Sequence, residues 1–118
     1  MRGQVACLSG RAAEDQVASD YLRRGYVLAE TRWRGRSGEV DLIFADGDGF
    51  IFVEVKKSRS FARSAERLSP AQMQRVCAAA EEYLAHRELS QMTDLRFDVA
   101  LVDGAGAIEV LENAFGHF

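Results

Sequence analysis

Between Gly38 and Lys57 the chain reads GEVDLIFADGDGFIFVEVKK, two apolar, β-prone segments around a DGDG turn. This pattern predicts an antiparallel hairpin closed by a two- or four-residue loop. Closing it there sets Ala45 opposite Phe50 and Ile43 opposite Phe52. Unless a bulge intervenes, the same register carries Asp41 opposite Glu54 and Glu39 opposite Lys56. Alternation with period two then makes one apolar face from Val40, Leu42, Phe44, Ile51, Val53 and Val55. The other face holds the four charged residues at the open end and Ile43, Phe50 and Phe52 at the turn end. A fold for this chain must cover that hairpin and accommodate acids inside strands, where Asp and Glu are depleted.

The rest of the chain supplies the cover. Ala13, Val17, Ala18, Tyr21 and Leu22 recur at helical spacing between about Ser9 and Gly25, with Gly25 as the stop. Glu14 lies at the edge of that stripe, in register with Ala18 and Leu22. YVLAETRW reads as a strand leading into the hairpin, and SRSFARSAERL after it as a polar loop. SPAQ starts a second helix, with Ser69 as N-cap, Pro70 in first position and Gln72 placed to close a capping box. Its expected buried face is Met73, Val76, Cys77, Ala80, Tyr83 and Leu84. LRFDVALV and AIEVLE are two further strands around a DGAG turn. The order is α-β-β-β-α-β-β without repeat or linker, an α/β domain over residues 1–118. That length is enough for one core and too short for two ordinary domains.

Cys7 and Cys77 have neither CxxC spacing nor histidines nearby, which argues against a zinc site or a disulfide framework. No apolar run approaches the roughly 20 residues of a membrane span, and MRGQVACLSG lacks the apolar centre of a signal peptide. A cytoplasmic protein without membrane contact is expected. A formal net charge of −3 argues against indiscriminate coating of nucleic acid. The charges are nevertheless segregated. Arg32, Arg34 and Arg36 lead into the hairpin, and Lys56, Lys57, Arg59, Arg63 and Arg67 follow it, opposed only by Glu66. These basic brackets suit phosphates, which makes Arg32, Arg34, Arg36, Lys57, Arg59 and Arg63 the expected nucleic-acid contacts. Trp33 could stack on a base between its arginines, although such a tryptophan more often joins the core. Asp98, alone in a strand, reads as a sheet-edge or capping residue, and His86 and His117 as isolated exposed side chains.

Like charges opposed across a ladder cost some tenths of a kcal/mol up to about one. Either this end of the sheet is simply solvated, with Glu39 paired to Lys56, or a divalent cation sits between Asp41 and Glu54. Hard oxygen donors without cysteine or histidine would select Mg²⁺ or Mn²⁺ over zinc.

GEVDLI, FVEVK after a short turn, the preceding GRAAEDQVASDYL helix and the RFDVALV strand ending near NAF together resemble the YraN-like family of bacterial proteins. That family belongs to the restriction-endonuclease-like PD-(D/E)XK superfamily and is similar to archaeal Holliday junction resolvases. The likeness runs from about Gly10 to Phe115. It implies a three-layer core, a mixed central sheet flanked by helices, and a metal-dependent endonuclease acting on DNA, branched or single-stranded forms included. Asp41 matches the superfamily's strand aspartate, Glu54 and Lys56 its ExK pair, Glu14 its helix glutamate, and Glu39 the GE before the aspartate. Asp41, Glu54 and the carbonyl of Val55 are then the implied ligands of Mg²⁺ or Mn²⁺. Lys56 would orient a water or stabilise the transition state, and Glu14 would support the site or hold a second ion. The alternative for Glu14 is an exposed helix carboxylate, against which its place on the apolar stripe counts. Cutting two strands implies a homodimer. Ala13 stands where members often have glycine, Lys57-Ser58 where threonine often follows the lysine, and Gln72 where lysine is frequent. The last two departures bear on phosphate contacts and not on the metal site. The competing class is a nucleic-acid-binding module that keeps the fold without catalysis. Opposed carboxylates near phosphates favour the enzyme.

Overall fold

The computed structural model describes residues 2–57 and 69–114, with side chains from Arg11 onward. Arg59, Arg63 and His117 lie outside the described residues. The elements follow the expected order: α1 (Arg2–Arg23), β1 (Val27–Arg34), β2 (Glu39–Asp46), β3 (Gly49–Lys57), α2 (Pro70–His86), β4 (Leu95–Val102) and β5 (Ile108–Leu111). The strands form one open sheet in chain order, antiparallel except where β4 joins β3 in parallel after the α2 crossover. α1 covers one face and α2 the other, a three-layer mixed α/β arrangement consistent with a restriction-endonuclease-like core.

Under α1, Ala13, Val17 and Tyr21 pack on Leu42, Phe44, Ile51, Val53, Ala100 and Val102. These helix positions are four apart and form one narrow row. Leu22, about 100° further round the helix, falls outside that row and is 49% exposed, so the expected stripe is too wide by one residue. Gly25, at φ +97, ends the helix as expected, its N–H donating to the Leu22 carbonyl. Under α2 the buried residues are Val76, Ala79, Ala80, Tyr83 and Leu84. The helix starts where expected, Ser69 Oγ accepting from the Gln72 N–H at 3.2 Å with Pro70 next in the chain.

The hairpin turns on Gly47 and Asp48, with Asp46 facing Gly49. Gly47 has φ +59, the first-position glycine that a type II′ turn demands. Ala45 faces Phe50 and Ile43 faces Phe52, as the sequence predicts, but the ladder stops at Leu42 and Val53. The predicted face also breaks here. Leu42 packs under α1, whereas Val40 packs with Ile43, Trp33 and Tyr83 under α2. The cause lies in both strands. Thr31 faces Leu42 and Trp33 faces Val40, and between them Arg32 takes φ +50. One left-handed residue interrupts the period-two alternation, so Trp33 turns to the α2 face and meets the Tyr83 ring edge-on at 5.3 Å. Asp41, at the crossing point of β2, is left aimed along the sheet toward β3.

Asp98 corrects a second expectation. It sits in β4, flanked by β3 and β5, and is fully buried, so it is not an edge residue. Its carboxylate accepts from the Tyr21 hydroxyl at 2.6 Å, from Arg96 Nε and Nη2 at 2.9 Å each, and from the Asn113 N–H at 2.9 Å. Burial and this bond together hold the Tyr21 hydroxyl proton far more tightly than usual.

Candidate functional site

Where the β2–β3 ladder stops, side-chain chemistry replaces it. Asp41 Oδ2 accepts the Val55 N–H at 2.8 Å, a main-chain donor that a continued ladder would have paired. In an extended strand the N–H and C=O of one residue point the same way, so the Val55 carbonyl also points toward β2, past the last ladder pair. Glu54 and Lys56 lie on the α2 face with Phe52, beside Val99 and Leu101 of β4. The Glu54 carboxyl hydrogen-bonds Asp41 and is pushed up to about 9. Burial is the first cause, followed by the hydrogen bond and the charge of Asp41; Lys56 pulls the other way, and Glu39 adds a smaller push. Glu54 therefore keeps its proton near neutral pH. The ladder reaches neither the Asp41–Glu54 nor the Glu39–Lys56 position. Glu39 instead faces Arg34 across β1.

Glu14 stands apart from this pair. Arg32 donates to its carboxylate through Nε at 2.9 Å and Nη2 at 3.3 Å, on the α1 side of the sheet. That contact, first of all, holds the Arg32 proton more firmly, with smaller contributions from Glu39 and Asp41. Arg32 thus links the helix glutamate to the strand aspartate while its side chain remains exposed. Among the described residues no group of three or more His, Cys, Asp or Glu side chains gathers closely enough to hold a metal ion. The donor set is two carboxyls and a main-chain oxygen. All are hard oxygen donors, the chemistry that suits Mg²⁺ or Mn²⁺ rather than a softer ion.

Basic residues flank the open end. Arg34 at the end of β1 and Arg36 on the β1–β2 turn are exposed, and Lys57 is exposed at the end of β3. Trp33 faces the α2 layer, and His86 is exposed, its ring 6.4 Å from that of Trp33. Sequence reasoning passed over Glu82. Both its carboxylate oxygens receive main-chain N–H groups of the β1–β2 turn, Arg36 on Oε2 and Ser37 on Oε1, each at 2.7 Å. Nothing in the spacing of a helix acid some 45 residues from its partners points to that contact.

The sequence profile of a family described as "Uncharacterised protein family UPF0102" matches residues 13–102. A UPF0102 protein of Ruegeria pomeroyi is 59% identical over 116 residues, covering 98% of this chain and 94% of the relative. One from Cereibacter sphaeroides is 53% identical over 115 residues, covering 98% of each chain. A third, from Dinoroseobacter shibae, is 47% identical over 112 residues, covering 95% of this chain and 84% of the relative.

Proposed function

The chain belongs to the UPF0102 family, and from that premise we propose a divalent-metal-dependent nuclease that hydrolyses phosphodiester bonds in DNA, branched or structured DNA of repair and recombination being the substrate class. The observation that carries this reading is the hydrogen-bonded Asp41–Glu54 pair at the open end of the hairpin, with Lys56 on the same face as Glu54. A purely structural sheet gains nothing from two acids pressed together there.

Asp41, Glu54 and the Val55 carbonyl would hold the ion. Bound there, Mg²⁺ or Mn²⁺ would supply Lewis-acid polarisation of the phosphate and lower the pKa of the attacking water. Lys56, a compact point charge, would orient that water and offset charge growing on the phosphoryl oxygens. Arg34, Arg36 and Lys57 would dock the flanking phosphates. The work would be cytoplasmic, and two copies would present two sites to two strands. No described helix is long and apolar enough to cross a membrane.

One observation favours the binding-module alternative: Glu14 is held by Arg32, leaving two acids at the site. Labelled flaps, bubbles, single strands and four-way junctions incubated with Mg²⁺ or Mn²⁺ separate the readings. Cleavage is expected in the parent, and its loss in Glu54→Gln and in Lys56→Ala with binding retained. Cleavage surviving in both variants would place the activity elsewhere. Binding without cleavage by the parent would leave the module.

A further inference from the structure

The β1–β2 turn is held from below by an acid. Gly35 N–H donates to the Gly38 carbonyl at 2.9 Å, closing the turn, and the Arg36 and Ser37 N–H groups both end on the Glu82 carboxylate of α2. Ser37 and the two main-chain donors hold the Glu82 carboxyl below its ordinary range. A Cβ on Gly35 would lie 2.7 Å from Glu82 Oε2 and 2.9 Å from the Trp33 ring, so glycine is what lets the turn settle on the carboxylate. Trp33, itself seated on Tyr83, forms the other wall. The outer side of this pinned turn carries Arg34 and Arg36, both exposed, and the turn leads straight into Glu39 and Asp41.

We propose that Glu82 is a positioning residue for nucleic-acid docking: its carboxylate locks the Arg34–Gly38 turn so that Arg34 and Arg36 meet phosphates already ordered. This rests on the nucleic-acid reading given above and adds the means by which the docking surface is built. Charge alone predicts the opposite. A carboxylate beside a phosphate-binding turn repels the ligand, and its removal should tighten binding. Glu82, however, turns its charge inward, both carboxylate oxygens being engaged by the main-chain N–H groups of the turn. Two long basic side chains on an unpinned turn would have to be ordered at the moment of binding, at a cost in affinity.

The sign of the effect is therefore the test. Labelled duplex and four-way-junction DNA are titrated at several salt concentrations with the parent, Glu82→Gln, and Glu81→Gln as a control that removes the same charge one residue away. Glu82→Gln should bind roughly three- to tenfold more weakly and flatten the dependence of log affinity on log salt by about one unit, the signature of a lost phosphate contact. Glu81→Gln should bind no more weakly than the parent. In an Arg34→Ala, Arg36→Ala background, Glu82→Gln should cause no further loss, an outcome a general structural defect would not produce. Amide exchange at Arg36 and Ser37 should quicken in Glu82→Gln. Should that variant fold poorly, Glu82→Asp, which keeps the charge and shortens the reach, should weaken binding in the same way. Tighter or unchanged binding by Glu82→Gln, with the parent binding DNA and the arginines contributing, overturns the positioning role alone. A parent that binds no DNA at low salt overturns the nucleic-acid reading, and this proposal with it.

Discussion

Beside Asp41, Glu54 is held in its protonated form by burial and by its neighbour's hydrogen bond and charge, against the pull of Lys56. An amide at position 41 can still accept the Val55 N–H and can donate to Glu54, so Asp41→Asn should raise the melting temperature of the metal-free protein, by on the order of 1 kcal/mol. It should also remove the stabilisation that millimolar Mg²⁺ or Mn²⁺ gives the parent, since an ion that binds only the folded state stabilises it by mass action. Thermal melts with chelator and with metal decide this. A lower melting point for the variant in chelator, with equal metal shifts in both proteins, would refute the account. The pH dependence has a definite sign. Glu54 holds its proton more tightly folded than unfolded, up to about 9. Its contribution is therefore fully present below the ordinary carboxylate range and is lost as pH rises toward that value. Apo stability should fall with pH across that window, by at most about 1.4 kcal/mol per unit and less for the partial exposure of the site. Glu54→Gln should flatten the slope. An unchanged slope in Glu54→Gln would assign the titration to another group.

At the level of elements, the hairpin was legible wherever the cause was local. A two-residue turn and strict alternation define the register from Ala45–Phe50 to Ile43–Phe52, and Ser69-Pro70 marks the start of α2. Gly47 makes that turn possible. Gly47→Ala places a Cβ at φ +59 and should cost about 1 kcal/mol, read as a lower urea midpoint at constant m. No loss would mean that the turn relaxes to another type. The alternation failed at Val40 because the interruption is a left-handed arginine on the neighbouring strand. Periodicity cannot register a backbone dihedral at a residue that rarely adopts it. The same limit hid the Glu14–Arg32 pair and the Glu82 strut, both of which join residues far apart in sequence. Asp41 and Glu54 stand out in sequence because they violate strand composition, whereas their mutual geometry depends on where the ladder ends.

Across the whole molecule, two aspartates that look alike in sequence do opposite work. Asp98 ties α1 to β4 and to the segment after β5, through Tyr21, Arg96 and Asn113. Asp98→Asn keeps the shape but leaves Arg96 only its longer contact with Glu112 and weakens the Tyr21 bond, and should cost about 3 kcal/mol in urea unfolding. Neutralising Asp41 should stabilise, and neutralising Asp98 should destabilise. If both shift stability the same way, one of the two assignments is wrong. The chain order of the sheet also has a consequence for how the protein comes into being. β1, β2 and β3 are joined by short turns, while β4 reaches β3 only after the whole of α2 has been made. Contacts close in sequence form early, and the parallel pairing has the longest loop to close. The residues assigned to the ion all lie on the early hairpin, so the ion would act on the folding transition state as well as on the finished protein. Metal should then speed refolding and not merely slow unfolding, and a metal effect confined to the unfolding arm of the chevron would show that the hairpin forms late. On this view a nascent chain would acquire its chemistry before it acquires its shape.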